Sequence, residues 1–558
     1  MKGWRVIVLS VLGGLLMAGL AVSSAAAVSR NLATGAAVES SSGAPAPVSA
    51  PFVSTTVITP ALCRLGVGGA QRPLTDYPTD TLASLRTEWF IDWSVRTDRL
   101  QSLPNAMQYA PSIFIKQWKW ENAVPKLVDW DAPYADPPTY TINPPLQTLA
   151  QLAVQYPGQL WLAGNEIERR DWQTDSGGSM GQQEILPELY AQAYHAIYTT
   201  IKTADPTARI ANGSIILPSP LRLEYLSKVW DAYYDLYDAP MPVDVWQIHL
   251  YLLQEKRYEW GADIPAGSSA TTGLYAYPTY EEVVRVNKDF SKVPGLVRDM
   301  RSWMKAHGQQ DKPLIISEYG INMPDWILPG EFDPDDIYTE YLEPSLDYLM
   351  HESDTALGYP ADDYRLVQSV WWWSLDADNG DYEGATFYQA YNGNLLYSGI
   401  MSPTHSPNPM GISALGSYWV DYVSAVTETV NLKPLSLEPR TPVYSTAGQP
   451  VTVSLELLVS NGGNVAVTQP FSVTLTDQEV SQQIGALTVT APVEGCGGVV
   501  EVTGVLWLDL DPGPHTVQVT VDGSGLITET NETDNIAQFT VVVATHQIRL
   551  PVVLRRAP

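Results

Sequence analysis

Basic residues are the scarce charged type in this chain: 32 Lys and Arg stand against 61 Asp and Glu in 558 residues, a formal net charge of −29. No basic stretch interrupts the acidity. Such a surface repels nucleic acid and anionic membranes, which removes both as partners, but it tolerates a neutral polymer. Cysteine is almost absent. Cys63 and Cys496 are the whole complement, so no zinc or redox spacing exists, and the pair either forms one disulfide between distant regions or stays as two thiols. The seven histidines show no paired ligand spacing, which points away from a catalytic metal, and no motif calls for a cofactor. Phe is sparse, eight residues against 18 Trp and 30 Tyr. Those amphipathic rings pack in cores and also stack on sugar faces. Beyond the first thirty residues no apolar run is long enough to cross a bilayer.

What is present begins with an address. Lys2 and Arg5 precede the apolar run Val6–Val22, and Ala25-Ala26-Ala27 follows. This is the layout of a secretory signal over residues 1–27. The alternative is an uncleaved anchor, since the run approaches spanning length. Residues 28–60 are Ala, Ser, Pro, Gly and Thr with almost no charge, a composition that cannot bury a core and reads as a spacer. The remaining length exceeds one ordinary domain.

Residues 61–430 alternate short apolar runs with amphipathic helical ones. Eight strand candidates stand out: Cys63–Gly68, Glu88–Trp93, Met107–Ile115, Gln159–Asn165, Arg209–Ile216, Val243–Tyr251, Leu314–Glu318 and Leu366–Trp373. Helix candidates between or after them are Gln182–Thr203, Leu221–Asp235, Tyr280–His307, Asp335–Glu352 and Ile412–Ser424. Strands separated by helices imply parallel pairing, and eight such units predict an α/β fold, a (β/α)8 TIM barrel. The long irregular stretches Ile167–Gly181, Leu252–Thr279, Gly320–Pro334 and Leu375–Gly411 follow the fourth, sixth, seventh and eighth strands. All would emerge at the C-terminal face, where such folds assemble their sites.

After Asn431-Leu432-Lys433-Pro434 the texture changes. Val451–Val459, Phe471–Leu475, Val499–Leu510, His515–Val521 and Ala537–Val543 alternate between apolar and polar residues, with Gly, Asn and Pro between them. Residues 435–545 therefore predict an all-β sandwich. The hairpin Asp522–Val543, with Glu529–Asn535 reading ETNETDN, resembles the end of the CARDB family of bacterial immunoglobulin-like modules. Its acidic cluster, Asp522–Asp534, reads as an exposed turn, and Trp507 as core. Residues 546–558 form a short apolar tail with two arginines.

Two of the many carboxylates stand apart. Glu166 closes the run Leu160-Trp161-Leu162-Ala163-Gly164-Asn165, and Glu318 closes Pro313-Leu314-Ile315-Ile316-Ser317. A carboxylate at the open end of a buried strand is half enclosed by apolar walls. That raises its pKa and suits general acid work, unless a neighbouring donor keeps it ionised. The fourth and seventh strands face each other across an eight-stranded barrel, so the two groups can converge.

The runs Gly164-Asn165-Glu166, Ser317-Glu318-Tyr319, Gln247-Ile248-His249-Leu250-Tyr251 and Trp371-Trp372-Trp373-Ser374 together resemble clan A of the glycoside hydrolases across the whole barrel region. The resemblance implies a retaining β-glycosidase, with Glu166 as acid/base and Glu318 as nucleophile. Asn165 would hold the sugar 2-hydroxyl, and Tyr251 would donate to the nucleophile and keep it charged. Trp373, with Trp371 on the same strand face, would floor the −1 subsite. His249 shares the inward side with Gln247 and Tyr251.

Within the clan, Glu88-Trp89-Phe90-Ile91-Asp92-Trp93-Ser94 and Met107–Pro111 resemble strands of the small endo-β-1,3-glucanase family. Asp92 stands where that family has Asn, and Ile167-Glu168 replaces its Pro-Asp, which bears on the substrate. Trp89, Asp92, Lys116, Trp118 and Arg64 are further candidate contacts. The loop Asp376–Gly384 resembles a calcium loop only loosely: its glycine falls one place early and the closing Glu is missing. The expected partner is a polysaccharide or oligosaccharide met by a monomer outside the cell or at its surface. A β-1,3-glucan comes first, with β-mannan, β-galactan or xylan next. The competing readings are a non-catalytic carbohydrate-binding or adhesive surface protein, and a transglycosylase using the same two carboxylates.

Overall fold

The computed structural model describes residues 60–69, 73–119, 133–170, 182–321, 328, 330–375, 397–398, 411–412, 414–441, 443–445, 448–490 and 492–545. The leader, most of the spacer, the loop Asp376–Gly384 and the tail lie outside them.

Eight parallel strands occur in the order the sequence predicts: β1 (Leu62–Gly68), β2 (Thr87–Ile91), β3 (Gln108–Tyr109), β4 (Leu160–Leu162), β5 (Arg209–Ala211), β6 (Trp246–Leu250), β7 (Leu314–Tyr319) and β8 (Ser369–Trp373). Six of them form one parallel sheet in the order β3-β2-β1-β8-β7-β6, while β4 and β5 pair with each other. Isolated parallel bridges, Ser112 to Leu162 and Ala211 to Val245, join that pair to the two edges of the larger sheet. Leu162 N–H donates to Pro111 O at 2.9 Å and Asp244 N–H to Ile210 O at 3.1 Å. Leucines, isoleucines and valines fill these runs because strands buried on both faces have no polar side.

Two apolar layers result. Trp89, Ile91, Ala110, Leu160, Leu162, Ala211, Val245, Ile315 and Trp371 make an inner cluster, contributed by or beside seven of the eight strands. Gly66 has to be glycine there, because a Cβ would overlap the Trp371 indole. The outer faces pack on helices such as α1 (Leu146–Gln155), α2 (Pro187–Ala204), α3 (Pro220–Tyr237) and α4 (Val293–Ala306). Helix α2 buries Tyr190, Ala191, Tyr194, Ile197 and Ile201, the helical repeat of an amphipathic face. Helix α3 starts where Ser219 accepts from the Arg222 N–H and Pro220 takes the first turn, a position at which proline loses no hydrogen bond.

Several expectations need correction. The third strand candidate is two elements. It stops short of Pro111, which has no N–H for the ladder, and Phe114–Gln117 turns away to pair antiparallel with Tyr140–Asn143. The stretch Tyr280–His307 is not one helix. Asp289 caps a short turn by accepting from Ser291 N–H, and α4 begins afresh with Pro294 in its first turn. Asp335–Glu352 is likewise divided by a π-turn at Tyr338–Leu342. Helix α1 was not among the predicted elements.

The C-terminal strands form two antiparallel sheets around one core. One holds β9 (Leu432–Pro439), β10 (Val451–Asn461) and β13 (Gly498–Leu510). The other holds β11 (Phe471–Asp477), β12 (Gln482–Val489), β14 (Gly513–Val521) and β15 (Ile536–Val543). Trp507 is part of that core. The acidic hairpin is less exposed than its composition predicts. Asp522 is buried, and Glu529, pushed up to about 7 chiefly by burial, accepts from Leu432 N–H.

These sheets are anchored at the N-terminal ends of the parallel strands. Cys63 and Cys496 are disulfide-bonded, which decides the alternative left open by the sequence. Beside them Arg64 grips Asp362 through two hydrogen bonds of 2.9 and 2.7 Å and reaches Gly462 O at 3.3 Å. Arg365 donates to the same carbonyl at 2.9 Å, and Lys433 pairs with Asp363 at 2.6 Å. Arg64 is therefore no ligand contact. Its charge is buried and spent on holding two parts of the chain together. No helix among the described residues is long and apolar enough to cross a membrane.

Candidate active site

Glu166 sits just past β4, where the chain leaves the sheet. Its backbone takes φ +44°, a left-handed conformation costly for a residue with a Cβ, and its N–H donates to Ser214 Oγ at 3.0 Å. Glu318 is on β7, opposite His249 on β6 in the strand register. Both carboxylates and the imidazole are buried, Glu166 with 4 % of its surface exposed and His249 with none.

His249 Nδ1 lies 3.0 Å from Glu318 Oε2 and 3.3 Å from Glu166 Oε1. One donor atom from each of the three residues falls within 4.8 Å of the others. A cation could be shared at that spacing, but the contacts have hydrogen-bond length, and the Nδ1–H occupies the space between the carboxylates. The other Glu166 oxygen, Oε2, accepts from Arg169 at 2.9 Å. Tyr251, also buried, hydrogen-bonds Glu318 through its phenol, whose pKa burial and the two carboxylates push far up.

The electrostatics follow from these contacts. Burial drives the Glu166 carboxyl up, but Arg169 and His249 outweigh it and hold the group down at about 2. Burial also opposes a charged imidazole, yet Glu318 and Glu166 prevail and lift His249 to about 9. Of the two outcomes open to a carboxyl at the end of a buried strand, Glu166 takes the one in which neighbouring donors keep it ionised. The apolar wall is present, and neighbouring donors win over it.

Supporting groups surround the pair. Gln247, beneath the site, accepts from Ser317 Oγ at 2.9 Å and is fixed by Asn212, whose Oδ1 takes the Gln247 N–H at 2.7 Å. Asn165 N–H donates to Gln183 Oε1 at 3.2 Å, and the same oxygen takes Ile115 N–H at 2.8 Å. Gln183 thereby ties Asn165 to the hairpin that carries Lys116. Trp373, half-buried, borders an apolar cluster of Ile216, Leu217, Tyr251, Leu253 and Ala262, together with Trp260 and Tyr275; the Trp373–Ser374 peptide is cis.

Asn165, His249, Tyr251 and Trp373 therefore gather near Glu166 and Glu318, whereas Trp371, Trp89, Asp92 and Arg64 are engaged elsewhere. Trp371 is fully buried and stacks on Trp89 with centroids 5.7 Å apart. It shares the Trp373 strand face, as predicted, but one layer deeper in the inner core. Asp92 is taken up by Arg99 and by the Tyr109 hydroxyl at 2.5 Å. Glu168 is no subsite position: it is buried against Arg222 at 2.7 Å, and Arg222 also pairs with Glu255. Arg169, Ser214, Gln183, Trp260 and Tyr275 escaped the sequence reading. For Arg169, Trp260 and Tyr275 the one available signal was their place in the long stretches after the fourth and sixth strands, while Ser214 fell inside the fifth strand candidate and Gln183 at the start of a helix candidate.

No family model and no curated protein matches the chain. Among solved structures, a glycoside hydrolase family 128 (subgroup II) endo-β-1,3-glucanase from Sorangium cellulosum is similar at 14% identity, over 64% of this chain and 98% of its own, with TM-score 0.34. A β-glucuronidase from Bacteroides uniformis is similar at 12% identity, over 88% of this chain and 46% of its own, with TM-score 0.30. The CARDB domain of a Pyrococcus furiosus protein, solved in complex with di-metal ions, is similar at 21% identity, over 22% of this chain and 100% of its own, with TM-score 0.18.

Proposed function

We propose that this protein is a secreted retaining β-glycosidase acting on an extracellular polysaccharide, with a β-1,3-glucan as the first substrate to try. Its catalytic unit, residues 61–430, is read as a (β/α)8 barrel, which the two bridges linking β4 and β5 to the larger sheet support. Residues 435–545 are read as an immunoglobulin-like, CARDB-like module. The observation that carries the function is the pairing of Glu166 and Glu318 around His249, with donor atoms within 4.8 Å. One oxygen of each carboxylate lies within 4.8 Å of the other, close enough for both groups to act on one sugar. Retaining enzymes hold their two carboxyls about 5–5.5 Å apart and inverting ones roughly 6.5–9.5 Å apart, and the anomeric form of the product separates the two routes.

In the retaining route Glu318 attacks the anomeric carbon while Glu166 gives its proton to the departing oxygen. Glu166 then takes a proton from water, whose oxygen displaces Glu318. His249 spans both carboxylates and keeps them in register, while Tyr251 orients Glu318. Trp373, with Trp260 and Tyr275 bordering the same apolar cluster, offers the aromatic faces on which a sugar ring can lie. No step calls for a cofactor. Incubation with a panel of β-1,3-glucan, β-mannan, β-galactan and xylan, with products sized and their anomeric form read by NMR, tests this. Release of sugars with retained configuration is expected, and inverted products or no release would overturn it.

A further inference from the structure

We propose that Arg169 is a positioning residue that holds Glu166 as a carboxylate and must leave its Oε2 before Glu166 can protonate a leaving group. The inference rests on the glycosidase reading of the site. Both oxygens of Glu166 face N–H donors: Arg169 at 2.9 Å on Oε2 and His249 at 3.3 Å on Oε1. A proton on either oxygen would set an O–H against an N–H. The Ser214 contact to the Glu166 N–H and the left-handed backbone fix where the side chain starts, so it cannot turn away at no cost.

The two halves of the reaction need opposite forms of this carboxyl. In the first, the O–H of Glu166 breaks and its proton goes to the glycosidic oxygen as the C–O bond cleaves. In the second, Glu166 accepts a proton from the attacking water. The arrangement seen here suits only the second. For the first, one donor has to yield. His249 is mounted on β6 with no exposed surface, lies between two carboxylates and meets Tyr251 edge-on with ring centroids 6.2 Å apart. Arg169 stands on a loop with 17 % of its side chain exposed, and its other anchor is a loop carbonyl, Gly261 O, at 2.8 Å. Arg169 is the donor free to move, and a leaving group arriving at Oε2 competes for its place.

The remaining groups around Glu166 are consistent with this assignment. Glu318 and Glu168 are like charges, and Tyr251 has its pKa far above the ordinary phenol value. That leaves Arg169 and His249 as the groups that hold the Glu166 carboxyl down.

The test compares the full chain with R169M, R169Q and R169K. The carboxylic-acid C=O stretch of Glu166 is followed by infrared difference spectroscopy against pH and isolated by subtracting the E166Q spectrum. Loss of the charge in R169M or R169Q should move its midpoint up by more than one pH unit, while R169K stays near wild type. The basic limb of kcat/KM should move equally for glycosides with poor leaving groups and stay still for activated aryl glycosides. R169Q keeps the test open should R169M not fold. An unchanged midpoint in a folded R169Q or R169M overturns the proposal. A shifted midpoint in proteins that turn over no glycoside upholds the hold on Glu166 and overturns the glycosidase reading instead.

Discussion

His249 Nδ1 stands 3.0 Å from Glu318 Oε2, and the same nitrogen reaches Glu166 on the far side. Two buried carboxylates at this spacing repel each other unless something positive lies between them. The imidazole is that group, raised to about 9 by the charges it separates.

The first prediction concerns stability. A folded-state pKa above the ordinary histidine value gives stability that is fully present below about pH 6.5 and disappears as pH rises through about 9. Melting temperature should therefore fall between pH 6.5 and 9, by an amount equivalent to a few kcal/mol at most. In H249Q that decline should flatten, and the variant should start from a lower melting temperature at pH 6. An identical pH slope in H249Q would show that the imidazole carries no such charge.

Glu318→Ala should lose essentially all turnover while its circular dichroism stays unchanged, because the displacement step has no substitute oxygen. Added azide should restore part of the activity and yield a glycosyl azide of inverted configuration. Ordinary activity in Glu318→Ala would move the nucleophile elsewhere.

Glu166→Ala should separate substrates by leaving group. Glycosides of aliphatic alcohols should lose 100-fold or more in kcat/KM, on the order of what a positioned acid supplies. Dinitrophenyl glycosides, which need little protonation, should lose far less in the first step. Equal losses on both would make Glu166 a binding residue.

How much of this was legible in the sequence depends on periodicity and on locality. Leu314–Ser317 and Leu160–Ala163 announce buried strands by composition alone, and Glu166 and Glu318 follow at their ends, so the pair could be found without coordinates. Strand alternation also placed His249, Tyr251 and Trp373 on the site side. It could not measure depth, and Trp371 went one layer too far down for that reason. Nor does alternation show which partner captures a charge. Arg64 lies on β1 like a site residue, but its guanidinium meets Asp362, 298 residues away in sequence. Arg169 was hidden because a cation beside an acid on an irregular loop has no period, and its effect on Glu166 exists only in three dimensions.

The last prediction concerns the C-terminal sheets. Their acidic hairpin does bring Glu529 near Glu532 and Asp522, but the anchors of these sheets lie at the strand ends opposite Glu166 and Glu318, so no part in the chemistry of that site is expected of them. Independence of folding is a separate matter. Cutting the chain after Val430 removes Gly462 O from Arg64 and Arg365, Lys433 from Asp363, and Cys496 from Cys63. It also opens the buried Arg64–Asp362 pair to water. A disulfide closing so long a loop contributes roughly 2–5 kcal/mol, and strain or residual structure can reduce that. Truncation should therefore lower the melting temperature by many degrees, and C63S/C496S should reproduce a sizeable part of the drop in the full-length chain. Hydrolysis of a small aryl glycoside, measured well below the new melting temperature and normalised to folded protein, should stay within about two-fold of the full chain. A truncated protein that melts at the original temperature would show the anchors to be idle. One that stays folded yet inactive would show that the sheets reach the catalytic end after all.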